Sequence, residues 1–148
     1  MSGGAICVTE ANEDITFSKC AFHNNTAFRA GAVAFYRSNS HIVLSQSVFV
    51  HNWASNTVGG VDFSFSNSMV SVIECEFSLN YGANSGGLRF FDGNGGVHII
   101  DCIFRENTGL DSGGGISISD GNSDVTLSGI LFERNTCTAG ENATYDVC

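Results

Sequence analysis

Apolar residues recur at every second position along the chain in short runs, as in "ITF", "IVL", "VSV", "VHI" and "VTL". A period of two predicts short β-strands that bury one face, and no window of the sequence carries the apolar stripe of an amphipathic helix. The runs quoted begin at residues 15, 42, 70, 97 and 125, so they recur every 27 or 28 residues. The chain is therefore built from one unit that repeats five times.

Three further series keep the same interval. Each unit carries an F-x-x-N pattern, and a second asparagine precedes each apolar run. The phenylalanines are Phe22, Phe49, Phe77, Phe104 and Phe132, and the asparagines that follow them are Asn25, Asn52, Asn80, Asn107 and Asn135. The second asparagine series is Asn12, Asn39, Asn67, Asn94 and Asn122. Series that share one interval predict that equivalent residues of successive units stack on each other.

Strands this short cannot bury their apolar faces within one unit, so successive units must cover each other. A unit of 27 or 28 residues with three short strands and three turns predicts one coil of a parallel β-helix. Parallel crossovers prefer the right hand. We predict an all-β, right-handed, single-stranded parallel β-helix that forms one domain over residues 1–148. Its coils are expected at about 3–29, 30–57, 58–84, 85–112 and 113–138, with a C-terminal tail at 136–148.

Each repeated residue type has an expected role in this scaffold. Phenylalanine rings point inward and stack from coil to coil. Asparagines stand at corners in left-handed backbone, which they tolerate, and their amides bond between coils. The glycine pairs, such as Gly86 and Gly87, mark a third corner where a side chain would collide. All of these roles are structural.

Composition excludes several classes of partner. The chain has a net charge of −9 with six Lys and Arg residues, whereas nucleic acids and anionic membranes are bound by clustered cations. No apolar run approaches the roughly 20 residues of a membrane-spanning helix, so we expect no membrane insertion by this segment. The four histidines do not stand at metal-ligand spacings and no C-x-x-C occurs, so we expect no metal cofactor, apart from Ca²⁺ at a carboxylate pair.

The tetrapeptide "GGAI" and the five F-x-x-N patterns ("FHNN", "FVHN", "FSLN", "FREN", "FERN") resemble the repeats of the chlamydial polymorphic membrane proteins. More broadly, the chain resembles the pectin-lyase-like β-helix superfamily. The resemblance covers about residues 3–135, and the glycine pattern departs from that family in four units, as "AGAV", "GGVD", "GGLR" and "GGGI". The resemblance implies the passenger segment of a surface adhesin, and hence an extracellular or cell-surface location.

Six cysteines suggest an oxidising compartment. Cys75 and Cys102 fall on adjacent coils about 4.8 Å apart, within disulfide range, although buried thiols also pack as small apolar groups. A disulfide between Cys137 and Cys148 is expected in the tail, and the outward-facing Cys7 is a candidate for a bond to another chain. Asn24 and Asn142 begin N-glycosylation sequons.

Two pairs of residues one unit apart are candidate binding groups on the outer surface. Glu74 and Asp101 would lie about 5 Å apart and could share a proton or hold Ca²⁺, although a solvated charge pair is the simpler interpretation. Trp53 and Tyr81 would form an aromatic ledge able to stack on sugar rings, or one that only packs a turn. Charged residues one unit apart, including Asp62 with Arg89, are expected to form surface ion pairs.

The sequence starts at a repeat without a leader or cap, so we expect its first coil to be covered by adjoining repeats of a longer chain or by another copy. The leading hypothesis is a non-catalytic structural module of an extracellular surface protein or filament, which could assemble head-to-tail. Acidic residues at both ends would oppose direct stacking of copies. The alternatives are a glycan-binding adhesin segment and, less favoured, a polysaccharide lyase or hydrolase using Glu74 and Asp101.

Overall fold

The computed structural model describes residues 4–119 and 121–138, which form five coils of short parallel strands. Coil 1 contains β1 (Ile6–Thr9), β2 (Ile15–Ser18), β3 (Ala21–His23) and β4 (Thr26–Ala27). Coil 2 contains β5 (Val33–Tyr36), β6 (Ser40–Ser45), β7 (Val48–Val50) and β8 (Trp53–Ala54). Coil 3 contains β9 (Val61–Ser64), β10 (Ser68–Ile73), β11 (Glu76–Ser78) and β12 (Tyr81–Gly82). Coil 4 contains β13 (Leu88–Phe91), β14 (Gly95–Ile100), β15 (Ile103–Arg105) and β16 (Thr108–Gly109), and coil 5 contains β17 (Ile116–Ile118), β18 (Ser123–Ser128), β19 (Leu131–Glu133) and β20 (Thr136–Cys137).

Each coil contributes one strand to each of four sheets, so the expectation of three strands per coil is wrong. The first sheet runs β1-β5-β9-β13-β17, and the other three are built the same way from the second, third and fourth strands. The fourth strand is two residues long and directly follows the F-x-x-N asparagine. Two residues are too few to show an alternating pattern, which is why the sequence did not reveal this strand.

All strand pairs are parallel and keep the interval read from the sequence. Phe77 pairs in register with Phe49 on one side and Phe104 on the other. Val70 of the second sheet pairs likewise with Ile42 and Val97. The predicted parallel solenoid of five stacked coils is therefore confirmed.

Stacked aromatic rings occupy the interior. The F-x-x-N phenylalanines stack at centroid distances of 4.9, 4.7, 4.8 and 5.4 Å along the series. A second column on the first sheet places Phe63 between Phe35 and Phe90, each 4.8 Å away. The middle rings of both columns are fully buried. Because each ring lies on its neighbours, removing one ring opens a gap that the adjacent coils cannot close.

The asparagine amides form two hydrogen-bonded ladders. Nδ2 of Asn80 donates to Oδ1 of Asn107 at 3.0 Å and to the carbonyl oxygen of Phe49 at 2.8 Å. Oδ1 of Asn80 accepts from the backbone N–H and from Nδ2 of Asn52, both at 2.9 Å. The second ladder repeats the coil-to-coil bond, as from Asn67 Nδ2 to Asn94 Oδ1 at 3.0 Å. A buried amide whose donors and acceptor are all used carries no desolvation penalty for unmade bonds.

The asparagines of these ladders do not themselves adopt left-handed backbone, which corrects the expected cause of their repetition. The left-handed residue of the corresponding corner is instead the one before each F-x-x-N asparagine, namely Asn24, His51, Leu79, Glu106 and Arg134. The corner therefore turns one residue earlier, and the turn aims the asparagine side chain inward. The asparagine recurs because of its amide bonds, while the strained position accepts varied residues.

Glycine at the third corner is required by close backbone approach. A Cβ added to Gly86 would lie 2.5 Å from the backbone oxygen of Gly114 and 2.5 Å from the backbone nitrogen of Thr108. No real side chain tolerates such distances, because the colliding atoms belong to the backbone. The expected reason for the repeated glycines is thus present in the structure.

Of the two possibilities left open for Cys75 and Cys102, a disulfide or packed thiols, the structure shows packed thiols, because both cysteines are free and buried. Cys75 and Cys102 lie at equivalent corner positions, just before β11 and β15, and each thiol donates to a carbonyl oxygen of its own coil, that of Cys75 to Ile73 at 3.3 Å and that of Cys102 to Ile100 at 3.2 Å. The backbone N–H of Cys75 then donates to Sγ of Cys102 at 3.4 Å. The hydrogen bond with Cys75 and burial raise the pKa of the Cys102 thiol, so it stays protonated.

Ser47 makes the same two bonds in coil 2 as Cys102 makes in coil 4. Its hydroxyl donates to the carbonyl oxygen of Ser45 at 2.8 Å and accepts from the backbone N–H of Cys20 at 3.1 Å. Serine and cysteine can therefore replace each other at this corner, because both link a coil to its neighbour. In the part of the chain that the structure describes, no helix is long and apolar enough to cross a membrane.

Candidate functional site

The aromatic ledge expected from Trp53 and Tyr81 lies on the outside of the fourth sheet. The two residues pair in register on β8 and β12, and their rings are nearly parallel with centroids 6.2 Å apart. Trp53 remains 42% exposed, and Tyr81 is half-buried. The pair therefore presents an open aromatic face, while its role in binding remains a prediction.

Glu74 and Asp101 stand at an exposed corner in left-handed backbone, with φ of 51° and 50°. Gln46 donates from Nε2 to Glu74 at 2.8 Å, so this carboxylate is engaged by the coil before it. The Asp101 carboxylate lies directly against Gly129, and a Cβ added to Gly129 would collide with this carboxylate. Within residues 4–119 and 121–138, no three His, Cys, Asp or Glu side chains are grouped closely enough to hold a metal ion.

The ion pair of Asp62 and Arg89 is buried, which corrects the expectation of a surface pair. The Asp62 side chain is fully buried and that of Arg89 is 9% exposed. Nε and Nη2 of Arg89 donate to the two carboxylate oxygens at 2.9 and 3.1 Å. The pairs of Arg105 with Glu133 and of Arg134 with Glu106 do lie at the surface.

Three further side chains complete the bonds of this buried pair. The Tyr36 hydroxyl and the Ser64 hydroxyl donate to Asp62 at 3.1 and 3.0 Å. The Asn84 amide oxygen faces Arg89, and Nη1 of Arg89 donates to this oxygen at 3.0 Å. The pair points outward from the first sheet, as alternation predicts, but the turns that precede the glycine corner cover this face. Alternation alone gave no sign of that cover.

A cavity of about 220 Å³ opens beside this network, at the first corner of coils 1 to 3. Its lining consists of Thr9, Glu10, Arg29, Tyr36, Arg37 and Phe65. Strand register explains this grouping, because Thr9, Tyr36 and Ser64 are aligned and the residue after each lies at the same corner. The cavity combines polar and aromatic side chains, and the sequence analysis did not find it.

Two of the six cations of the chain line this one cavity. Arg37 Nη1 lies 3.3 Å from Glu10 Oε1, whereas Arg29 has its guanidinium 5.8 Å from the centroid of the Tyr36 ring. Burial, followed by the charge of Asp62 and the hydrogen bond to it, raises the pKa of Tyr36 well above its ordinary range. Tyr36 is thus a neutral donor to Asp62. The chain has only six cations, and this scarcity was the sequence signal that could have indicated the cavity.

The remaining candidate residues lie apart from the cavity. Asn24 is exposed, which leaves room for a glycan, and Cys7 is an exposed free thiol. Asn142 and Cys148 lie outside the described residues, and so does the expected bond between Cys137 and Cys148.

Comparison with known proteins gives one family and one relative. Residues 1–145 match the family described as the right handed beta helix region. A stretch of 63 residues is 38% identical to part of metabotropic glutamate receptor-like protein Q of Dictyostelium discoideum. That stretch is 43% of this chain and 5% of the relative, so the chain spans only a small part of the curated protein that it matches. No solved structure matches the chain significantly.

Proposed function

The chain belongs to the right-handed beta helix family, and on this fold we propose that it is a non-catalytic structural module of an extracellular surface protein or filament. One observation carries the proposal: the repeated side chains contact the equivalent side chains of the neighbouring coils. The phenylalanines stack on each other and the asparagine amides bond along the axis. These repeated side chains therefore connect the coils, which supports a structural role.

The polarity of the asparagine ladders supports continuation along the axis. In every bond of the F-x-x-N ladder, Nδ2 of one coil donates to Oδ1 of the next. Oδ1 of Asn25 thus faces one end of the described stack and the amide of Asn135 lies at the other. A further coil, from adjoining repeats or from a second copy, would extend both ladders and cover the sheet edges.

The proposed surface location draws on two likenesses. The F-x-x-N repeats resemble those of surface adhesins, and the relative from Dictyostelium discoideum is named as receptor-like. A rigid solenoid suits a surface protein, because it holds other segments at a distance.

Sedimentation velocity across a range of concentrations, with negative-stain microscopy, tests the structural role of the purified chain. We expect oligomers that lengthen in one direction, both with and without reductant, if copies supply the next coil. Discrete monomers at all concentrations would contradict assembly by copies. The end coils would then have to be covered by adjoining repeats of a longer chain, and the same measurements on a longer stretch of the parent chain would test this. Turnover of a polysaccharide that a Glu74→Gln, Asp101→Asn double variant abolishes would contradict the non-catalytic role.

Glycan recognition by the side of the solenoid is a second candidate, favoured by the open face of Trp53 and Tyr81. Aromatic faces stack on sugar rings, and a β-helix presents its sides to long chains. A glycan array with the native chain and Trp53→Ala tests this role. Phe28→Ala is the matched control, since Phe28 is another exposed ring at 56% exposure. Binding that is equal in both variants would remove this candidate.

A further inference from the structure

We propose that the cavity at the first corner binds one terminal acidic sugar residue of a glycan, whose single negative charge is a carboxylate or a sulfate ester. This site is separate from the Trp53 ledge and does not depend on the structural role proposed above. It rests on the charges, the aromatic walls and the size of the cavity, and on the acidic residues beyond it.

The charge of the lining is positive in a strongly acidic protein. Arg29 and Arg37 contribute +2 and Glu10 contributes −1, which leaves +1, against −9 for the whole chain. Arg37 is paired with Glu10, and Asp62 behind Tyr36 is paired with Arg89. No carboxylate among the described residues forms an ion pair with Arg29. Arg29 is therefore the group that an incoming anion would meet.

The backbone of Arg29 is fixed by hydrogen bonds from the next coil, while its side chain is exposed. Its carbonyl oxygen accepts hydrogen bonds from the backbone N–H of Val58 at 3.0 Å and from the hydroxyl of Thr57. Its guanidinium lies near the face of the buried Tyr36 ring. The fixed backbone and the ring contact keep this exposed guanidinium at the cavity, where an anion can reach it.

Phe65 supplies an aromatic wall. Like Glu10, Arg37 and Asp92 at the same corner it has left-handed backbone, with a φ of 65°, and its side chain is 39% exposed. Its ring makes an edge-to-face contact with Phe91, with the centroids 5.7 Å apart. The partly exposed face of this phenylalanine suits the apolar face of a sugar.

Size and the surrounding charges limit the ligand to one acidic residue. The volume of about 220 Å³ is below the roughly 300–1,000 Å³ of pockets for drug-sized ligands, so one ring fits. Along the axis, Glu10, Arg37, Phe65 and Asp92 follow each other at the corner. A chain with a charge on every ring would meet these carboxylates, whereas a single terminal charge would not.

Ligand-observed NMR titrations of the purified chain test the site. The probes are 3′-sialyllactose and 3′-sulfolactose, which separate the two acid groups, with lactose as the neutral control and trigalacturonate as the polyanion. We expect saturable binding of at least one acidic probe, and binding at least about tenfold weaker for lactose and trigalacturonate. Saturable binding of neither acidic probe, or tighter binding of trigalacturonate, would overturn the proposal.

Three variants connect the binding to the cavity. Arg29→Gln should weaken the preferred probe at least about tenfold, since it removes the unpaired cation. Phe65→Asn should also weaken it, while the backbone stays favourable because asparagine tolerates left-handed φ. Arg134→Gln removes an exposed cation elsewhere and should leave binding unchanged, and thermal melts should show all three variants folded. An unaffected Arg29→Gln variant, or an equal loss in Arg134→Gln, would overturn the assignment to this cavity.

Discussion

Phe77 shows most directly how a single residue stabilises the stack, because its ring lies between those of Phe49 and Phe104 at 4.7 and 4.8 Å. Phe77→Ala should lower the free energy of unfolding by about 3–5 kcal/mol, through lost apolar burial and an unfilled cavity. Denaturant titration measures the loss. Phe28→Ala, at an exposed ring, should cost less than about 0.5 kcal/mol, and equal costs for the two variants would contradict the interior column.

Arg89 is expected to matter far more than a surface arginine. Arg89→Met leaves the buried carboxylate of Asp62 without its cation, which should lower the free energy of unfolding by about 3–5 kcal/mol. Arg134→Met, which breaks an exposed pair, should cost less than about 1 kcal/mol. Both values follow from denaturant titrations. A small effect of Arg89→Met would mean that the covering turns open and admit water.

Tyr36 should make stability fall at high pH. Burial and the neighbouring Asp62 raise its pKa in the folded chain above the ordinary 10.0, so the folded state favours the neutral phenol. This contribution is complete below pH 10 and is lost as the pH rises further, because the unfolded chain then releases a proton that the folded chain retains. Unfolding free energies measured between pH 8 and about 12 should therefore fall more steeply for the native chain than for Tyr36→Phe. Equal slopes would contradict the buried hydrogen bond.

At the residue scale, the sequence predicts inward positions better than outward ones. The repeat of 27 or 28 residues was enough to place Phe77 between Phe49 and Phe104, because an inward side chain of one coil contacts the equivalent side chains of the coils on either side. It did not show that Asp62 and Arg89 are buried, since their burial depends on how the turns fold over the first sheet. The cavity beside Arg29 was missed for the same reason.

At the scale of the strand and its corner, the asparagine ladders connect the coils. Asn80→Ala removes the two bonds that Nδ2 donates, and it takes the acceptor from the backbone N–H and from one of the two Nδ2 hydrogens of Asn52. Because buried groups without partners cost about 1–3 kcal/mol each, we expect a loss of several kcal/mol in denaturant titration. Asn56→Ala, at an exposed turn, should cost less than about 0.5 kcal/mol. A similar cost at both positions would show that the ladder contributes little.

Elements were predicted where their pattern was long enough to read. The first three strands of each coil carry alternating apolar residues, whereas the fourth has only two residues and was missed. The left-handed corner positions were wrongly assigned to the asparagines, because asparagine tolerates this backbone conformation better than most residues. In the structure that conformation falls on residues such as His51 and Leu79, whose types give no sign of it.

At the scale of the whole molecule, the interior and the outside have separate roles. The interior is filled by columns that connect each coil to the next, which supports the proposed structural module. The outside carries the excess acidic charge, with two of six cations gathered at one cavity. A stack of this kind can vary its outer residues without disturbing the columns, so a binding site and a structural role are compatible.

The central claim is that residues 27 or 28 positions apart are neighbours along one axis. Aromatic nuclear Overhauser contacts in the chain with labelled phenylalanine, assigned by single Phe→Leu substitutions, test it most directly. The structure predicts contacts from the Phe77 ring to those of Phe49 and Phe104, with no direct contact between Phe49 and Phe104. A Phe77 ring without contact to either neighbour, or with contacts to both Phe22 and Phe132, would contradict the stacked coils.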